Sequence, residues 1–359
     1  MSIPRSISVA LLVMFAAHAR AQQANSASAC ASCHAEQAVS QPKTPMGRAI
    51  VLPPENTTLQ ANPKLTVQRG PYSYSVETHG KDSTYTVTDG TRTISLPIHW
   101  SFGAGVQAWL LERDGKRYES LVSYYPAIKG LDLTIGDEGL KPKNLDEAMG
   151  RELDETTLKD CFGCHATGAL SNGKLHLEAA RPGVTCEHCH AGVSTHLVDA
   201  VRGDFESAPP SLGKLSSEDI SNFCGQCHRS FATVVRNRWR GPANVRFAPY
   251  RLANSKCFDG ADPRIGCLAC HDPHKDVAEQ KSFYDAKCLA CHASSSVPGH
   301  PAASAFPPAD SSTSIAKTCP VAKSDCISCH MPKTKLPDEP VTFTDHYIRV
   351  VKAGEAYPN

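Results

Sequence analysis

The stretch Gly183-Val184-Thr185-Cys186-Glu187-His188-Cys189-His190 decides how this chain is built. It contains the pattern Cys-x-x-Cys-His, which is the attachment signature of a c-type haem. Two thiols at this spacing add to the two vinyl groups of one haem. The histidine that follows is then held under the iron as its proximal ligand. The stretch therefore predicts one covalently bound haem.

The same pattern occurs seven times in the chain. The copies are Cys30, Cys33 and His34; Cys161, Cys164 and His165; Cys186, Cys189 and His190; Cys224, Cys227 and His228; Cys267, Cys270 and His271; Cys288, Cys291 and His292; and Cys326, Cys329 and His330. Histidine accounts for only 16 of 359 residues, so a histidine after every pair is not a chance placement. Zinc sites and redox dithiols also use Cys-x-x-Cys pairs, but neither needs that histidine. We predict seven covalently bound haems c.

Composition excludes some classes of partner. Charged residues make up 20 % of the chain and its net charge is +1, so nothing indicates binding to nucleic acid or to an acidic membrane surface. Haem propionates would make the loaded protein more acidic than its sequence.

Residues 1–21 are typical of a secretory signal peptide. Arg5 supplies the positive charge, an apolar run extends from Ile7 to Ala17, and Ala19-Arg20-Ala21 forms a cleavage site before Gln22. The apolar run is too short to span a bilayer, and no later segment is long and apolar enough. We expect an exported protein without a transmembrane segment, in the periplasm or, alternatively, outside the cell.

The spacing of the motifs divides the rest of the chain into four parts. Residues 22–62 form a proline-rich, haem-bearing arm, residues 63–140 an antiparallel β module, residues 141–338 a hexahaem cytochrome c domain, and residues 339–359 a C-terminal tail. Alternating Tyr72, Tyr74 and Val76, with Asp89-Gly90 and Asp114-Gly115 as two-residue hairpin turns, predict four to six strands. The predicted fold class is α+β, a loop-rich, short-helix multihaem cytochrome c region with an inserted antiparallel β module.

Histidines outside the motifs are candidates for the distal iron ligands. His188 lies between Cys186 and Cys189, so we expect it not to bind its own iron. The remaining candidates are His274, His196, His346, His176, His300, His99 and His79. The alternative for each is an ordinary exposed or packed histidine. Met46 could instead bind the first iron through its thioether, which would raise the potential of that haem.

Two cysteines lie outside the motifs. Cys257 and Cys319 each precede a haem motif, and spare thiols in an oxidising compartment often pair. The sequence leaves open a Cys257–Cys319 disulfide or two free thiols.

Several stretches together resemble the multihaem c-type cytochromes of the cytochrome c-554 type. They are Cys161-Phe-Gly-Cys-His165, Pro182-Gly-Val-Thr-Cys-Glu-His-Cys-His190, Phe223-Cys-Gly-Gln-Cys-His-Arg229, Cys267-Leu-Ala-Cys-His-Asp-Pro-His274, Cys326-Ile-Ser-Cys-His-Met-Pro332 and Phe343-Thr-Asp-His-Tyr-Ile-Arg349. The resemblance covers about residues 150–350 and implies that His274, His346 and His196 are distal ligands. The chain departs from it at Ala191-Gly-Val-Ser, where a Gly-Pro-Gly is usual.

Two functions fit these features. The first is an electron-transfer protein whose partners are other redox proteins. The alternative is a multihaem reductase of nitrite, hydroxylamine or sulfur oxyanions, because catalysis at haem needs one open iron position. A docking role of the β module, toward a partner cytochrome or an outer-membrane component, is compatible with the first.

Overall fold

The computed structural model describes residues 29–292, 319–352 and 354–358. The predicted signal peptide and His300 lie outside the described residues. The α-helices include α1 Ala35–Ser40, α2 Thr57–Ala61, α3 Leu145–Met149, α4 Glu155–His165, α5 Cys186–Cys189, α6 Val193–Val201, α7 Ser217–His228, α8 Phe231–Arg236, α9 Ala248–Ala253, α10 Cys267–Cys270, α11 Lys281–His292 and α12 Cys326–His330. Short 3-10 helices lie at Gln41–Lys43, Pro53–Glu55, Leu177–Ala179, Leu212–Lys214 and Pro242–Arg246.

The strands are concentrated before residue 153. They are β1 Ile50–Val51, β2 Lys64–Arg69, β3 Tyr72–His79, β4 Asp82–Thr88, β5 Thr93–Pro97, β6 Trp100–Phe102, β7 Ala108–Arg113, β8 Lys116–Ser120, β9 Val122–Tyr125, β10 Gly130–Leu133, β11 Gly150–Glu152, β12 Ala166–Thr167, β13 Leu170–Ser171, β14 Lys174–Leu175, β15 Arg181–Pro182, β16 Lys333–Lys335 and β17 Thr342–Thr344. Short helices, antiparallel sheets and long connections confirm the α+β, loop-rich class. Among the described residues, no helix has the length and apolar character needed to cross a bilayer.

Two antiparallel sheets make up the β module. One has the order β2-β3-β4-β5, the other the order β1-β6-β7-β8-β11, and β9 pairs with β10 separately. Lys64–Leu133, all of it described, forms nine strands, so the predicted four to six was too few. The count was low because strands such as β9 are buried along their whole length and show no alternation.

The hairpin turns of the β module agree only in part with those predicted from the sequence. Asp114-Gly115 is a two-residue hairpin turn with both residues at positive φ, as predicted. Asp89-Gly90 instead belongs to a four-residue connection, in which the Asp89 carboxylate accepts hydrogen bonds from the backbone of Thr91 and Arg92. Gly70 and Gly80, also at positive φ, begin two further two-residue turns that the sequence did not reveal.

Strand β7 connects two hydrophobic cores. Trp109 and Leu111 face one core, which they share with Tyr74 and Tyr85 of the other sheet. The Tyr85 ring lies 6.3 Å from the rings of Tyr74 and Trp109. Leu110, between the two, faces the opposite way into a second core around helix α4. Strand alternation thus gives the five-stranded sheet two buried faces.

The second core fixes the helix that carries the second haem motif. Phe162 lies within that motif and is fully buried. The rings of Trp100 and Phe102 meet it edge to face at 5.4 and 5.3 Å, which is a favourable aromatic geometry. Helix α4 begins at the Asp154 cap, whose carboxylate accepts a hydrogen bond from Thr157 N.

The N-terminal segment contacts the third motif before its first cysteine. Val184 N donates to Met46 O at 3.0 Å, and Gln41 Nε2 donates to Val184 O at 2.6 Å. Gly183 has φ +78, and a Cβ placed there would lie 2.0 Å from Gly47 O. Only glycine therefore permits this close approach of the two backbones.

We expect Gly183→Ala to destabilise the protein by more than Gly173→Ala. Gly173 has φ +71 but nothing within 4 Å of its Cβ position. Alanine there should therefore lose only the about 1 kcal/mol of stability that the left-handed conformation costs. At Gly183 the backbone of Gly47 must also move, which should at least double the loss of stability. Thermal unfolding followed by circular dichroism measures both variants. Equal losses would contradict the close contact.

Asp137 gives a second prediction. It is 3 % exposed, its Oδ2 has no hydrogen-bond partner among the described residues, and Arg151 Nε is 3.5 Å from its Oδ1. Burial, and then the neighbouring Glu119, raise the pKa of Asp137 to about 6. The folded state therefore binds more protons than the unfolded state between roughly pH 4 and 6, so this carboxyl lowers stability as the pH rises through that window.

We expect Asp137→Asn to raise the free energy of unfolding by about 1–2 kcal/mol at pH 7.5 and by much less at pH 4.5. Arg151 keeps its second partner, Glu119, in this variant. Denaturant unfolding at the two pH values provides the measurement. An equal change at both would show that Asp137 is ionised throughout the window.

Candidate haem sites

Helix geometry brings the three reactive side chains of a motif together. Helices α4, α7 and α11 each end on the histidine of a motif. The first cysteine, the second cysteine and the histidine stand at positions i, i+3 and i+4, which lie on one face of a helix. The third, fifth and seventh motifs coincide with the short helices α5, α10 and α12.

Cysteines of different motifs contact one another. Thiols of different motifs lie within hydrogen-bonding reach of one another in four pairs, which are Cys30 with Cys186, Cys164 with Cys227, Cys224 with Cys267, and Cys288 with Cys326. Cys189 is an electrostatic neighbour of Cys224 and Cys227, and Cys270 of Cys288. The four close pairs and these electrostatic neighbours together connect all seven motifs in one group. A four-thiolate zinc site would need its ligands around one ion, and no three metal-ligating side chains are grouped in that way in the described part.

The contacts shift the thiol pKa values in the chain before haem is attached. The hydrogen bond with Cys227 raises the pKa of Cys164, and that with Cys267 raises the pKa of Cys224. The pKa of Cys267 falls to about 7, because Cys224 donates to its thiolate. A thioether has no such proton, so these shifts concern only the unmodified chain.

Two candidate distal histidines each face the histidine of a motif. The ring centres of His190 and His274 are 6.1 Å apart with planes 9° from parallel. Those of His271 and His346 are 6.3 Å apart with planes inclined by 50°. A metal–imidazole bond is about 2 Å long, so two imidazoles that bind one metal from opposite sides have ring centres roughly 6 Å apart. Both separations fit an iron between the rings.

Several of these histidines are held through Nδ1. His165 and His330 place Nδ1 at 3.0 and 2.9 Å from the carbonyls of Ala49 and Arg349. His346 Nδ1 is 3.1 Å from Thr344 O, and His274 Nδ1 is 3.1 Å from Asp272 Oδ1. A hydrogen bond from Nδ1 fixes the ring and leaves Nε2 as the metal-binding nitrogen.

Burial keeps several of the facing imidazoles neutral. It lowers the pKa of His346, and the nearby His271 lowers it further. The pKa of His190 is lowered by burial and then by His274 and His34. The neutral form is the one that binds metal. Because His34 lowers the pKa of His190, it must also lie near the His190 ring.

The other candidate distal ligands are not paired in this way. His79 and His99 are exposed on the β module, and His79 Nε2 lies 3.7 Å from Glu77 Oε2. His176 Nδ1 is 3.1 Å from Glu178 Oε1. His196, on α6, has a buried Nδ1 without a hydrogen-bond partner among the described residues.

The remaining predicted residues occupy different surroundings. His188 is a neighbour of Cys164 in the second motif. Met46 is half-buried and contacts the third motif through its carbonyl. Cys257 and Cys319 are both free thiols, so the structure does not join them, and their disulfide stays a prediction. Cys257 lies near Cys291 of the sixth motif.

A buried charge network fixes two of the histidines. Arg251 and Asp345 form a two-pronged ion pair at 2.8 and 2.9 Å, with side chains 1 % and 0 % exposed. Arg349 donates to the same carboxylate at 2.8 Å. His346 follows Asp345 directly, and the Arg349 carbonyl is the partner of His330. The network thus determines where both imidazoles lie.

Sequence reasoning missed this network. Asp345 and Arg349 stand four residues apart beside His346, which is a usable local signal. Arg251 lies 94 residues before Asp345, and nothing in its neighbourhood marks it as buried.

Comparison with known proteins gives one family match. Residues 137–191, which hold the second and third motifs, match the family described as cytochrome c554 and c-prime. This segment is similar to c-type cytochromes. The match implies covalently bound haem c and supports an electron-transfer cytochrome. It covers only the first part of the region whose motifs indicate the resemblance.

Comparison with solved structures and with curated proteins does not extend the family match. The outer cell wall cytochrome OcwA is 18 % identical over 56 % of this chain and 36 % of its own, with a TM-score of 0.31. The chain thus spans about a third of that cytochrome, and a TM-score this low does not establish a shared fold. No curated protein matches the chain.

We expect Asp345→Ala to destabilise the protein by about 3–5 kcal/mol, because Arg251 would be left as a buried, unpaired charge. The matched control is Asp160→Ala, which removes the exposed partner of Arg229 and should change stability little. Denaturant unfolding of the loaded protein measures the loss. Low-spin EPR of Asp345→Ala should also change, because His346 loses its support, and an unchanged spectrum would contradict the positioning role.

Proposed function

We propose that the chain is an exported heptahaem c-type cytochrome that carries electrons through closely spaced, mostly bis-histidine haems. The observation that carries this proposal is the set of four close thiol pairs and the electrostatic neighbours between them, which together join all seven motifs. A motif cysteine is bonded to the edge of its haem. Contact between two such cysteines therefore supports haem edges within a few side-chain atoms of each other.

The contacts support a spatial order that differs from the order in sequence. The first motif meets the third through Cys30 and Cys186, and the third meets the fourth through Cys189. The fourth, fifth, sixth and seventh then follow, with Cys270 near Cys288 as the middle link. The second motif joins the fourth through Cys164. The proposed path is thus a chain with one side branch at the fourth motif.

Residues of the chain have three roles in this proposal. The fourteen motif cysteines hold the seven haems, and the seven motif histidines are the proximal ligands. His274 and His346 are the distal ligands opposite His190 and His271. Bound haem iron supplies reversible one-electron transfer. At these two haems a second histidine would leave no position for a substrate, which favours electron transfer over the reductase alternative.

Export and partners are further parts of the proposal. The signal-like residues 1–21 and the covalent haem support an exported protein, periplasmic or extracellular. The partners would be other redox proteins, and the β module offers a docking surface toward a cytochrome or an outer-membrane component.

The experiment that tests this proposal combines haem counting with carbon monoxide binding. Intact-mass analysis should give seven haems per chain. The reduced wild type should bind no carbon monoxide, and its oxidised EPR spectrum should be low-spin throughout. His274→Ala should open one iron and bind one carbon monoxide per chain. The matched control is His79→Ala, an exposed histidine on the β module, which should bind none.

Two outcomes would contradict the proposal. Fewer than seven haems would break the proposed path. About one carbon monoxide bound by the wild type, with a high-spin EPR signal, would mean an open haem, and the reductase of nitrite, hydroxylamine or sulfur oxyanions would replace the carrier.

A further inference from the structure

A strongly basic segment of the chain contains and follows the fourth motif. Residues 220–258 contain no acidic residue, and their basic residues are Arg229, Arg236, Arg238, Arg240, Arg246, Arg251 and Lys256. The other 30 of the chain's 37 basic residues are outnumbered by its 36 acidic ones. A strongly positive segment therefore stands in an otherwise acidic chain, and haem propionates increase the contrast.

Part of this segment forms an exposed patch. We define the arginine patch as Arg236, Arg238, Trp239 and Arg240, all exposed in the structure. Among the described residues none of the three guanidinium groups has an ion-pair partner. Arg240 also lines a cavity that contains Glu138 and Glu339, whereas Arg236 and Arg238 do not.

The tryptophan of the patch is held rigidly although it is 37 % exposed. The Arg229 guanidinium lies 5.5 Å from the centre of the Trp239 ring, and Phe247 packs 5.4 Å from it. The Trp239 carbonyl accepts a hydrogen bond from Asn244 Nδ2 at 2.9 Å. A fixed, partly exposed tryptophan among arginines has the composition of a binding hot spot.

The patch is connected to two haem motifs. Arg229 follows His228 of the fourth motif directly, and it pairs with Asp160, next to Cys161 of the second. Ser230 N donates to Gly225 O inside the fourth motif at 2.9 Å. A partner seated on the patch would therefore lie close to the point where the proposed path branches.

We propose that the arginine patch is the docking surface for an acidic redox protein that exchanges electrons at the fourth motif. This inference rests on the proposed function and names the class of partner. Charge complementarity steers such encounters and raises their rate at low ionic strength. Neighbouring haem motifs favour a redox protein over an anionic membrane, because a surface that only holds a membrane needs no redox centre behind it.

The test uses the haem-loaded full chain and, as an acidic probe, a plant-type ferredoxin, which is a low-potential one-electron donor. The variant Arg236→Gln/Arg238→Gln removes two positive charges from the patch. Its matched control, Lys143→Gln/Lys174→Gln, removes two exposed charges away from the patch and the β module. Stopped-flow absorbance follows haem reduction by reduced ferredoxin at low and high salt.

We expect the patch variant to be reduced about tenfold more slowly than the wild type at low salt, and the control less than twofold more slowly. The difference should vanish near 1 M salt, where charges are screened beyond about 3 Å. Equal slowing of both variants would overturn the proposal. So would a changed haem content or haem potentials in the patch variant, which would mean that the arginines hold haem propionates.

A membrane role is distinguished by a second measurement. If the patch variant loses binding to phosphatidylserine vesicles while its reduction by ferredoxin is unchanged, the patch is a membrane surface and the proposal fails. Dithionite separates this inference from the proposed function. If dithionite reduces all haems but the patch variant behaves like the control, only the docking surface is wrong, whereas haems that dithionite cannot reduce would end the carrier model itself.

Discussion

The buried ion pair of Arg251 and Asp345 is the constraint on which the half of the molecule with most Cys-x-x-Cys-His motifs depends. It joins helix Ala248–Ala253 to a tail that starts beyond the last motif. A buried ion pair adds little net stability compared with apolar packing, because both charges lose their hydration. The pair instead fixes the relative orientation of the two segments, since a two-pronged pair accepts only one relative orientation of its partners. That orientation positions His346 and the Arg349 carbonyl that holds His330.

The distribution of apolar burial explains why such a link is needed. The β module has a dense core around Trp109, Tyr85 and Tyr74. From residue 186 onward, the buried apolar side chains of the described part are only Ile220, Val234, Val245, Pro249, Leu252 and Leu336. So few cannot define the positions of five motifs. Polar links and helix caps such as Ser216 before α7 have to do so instead.

The sequence predicted what depends on local chemistry. Cys-x-x-Cys-His, the alternating strands and the Asp114-Gly115 turn are short-range patterns, and His274 and His346 stand in the structure opposite motif histidines. Long-range features could not be predicted. Nothing near Arg251 in the sequence shows that it is buried, and no spacing shows that Cys30 meets Cys186 while Cys164 meets Cys227. Strand β9, buried along its whole length, lacked the alternation by which strands are recognised.

The β module has a role in these long-range contacts. Strand β1 pairs with β6, which places Ala49 O where it holds the ring of His165. The residues just before β1 contact the third motif through Met46 O, and Phe162 fixes the second motif on the same sheet. Two motifs, the second and the third, are therefore positioned by one sheet and the segment leading into it. If that sheet were only an attached docking domain, its removal would leave the motif contacts intact. Its contacts indicate instead that it is the frame on which the second and third motifs are arranged.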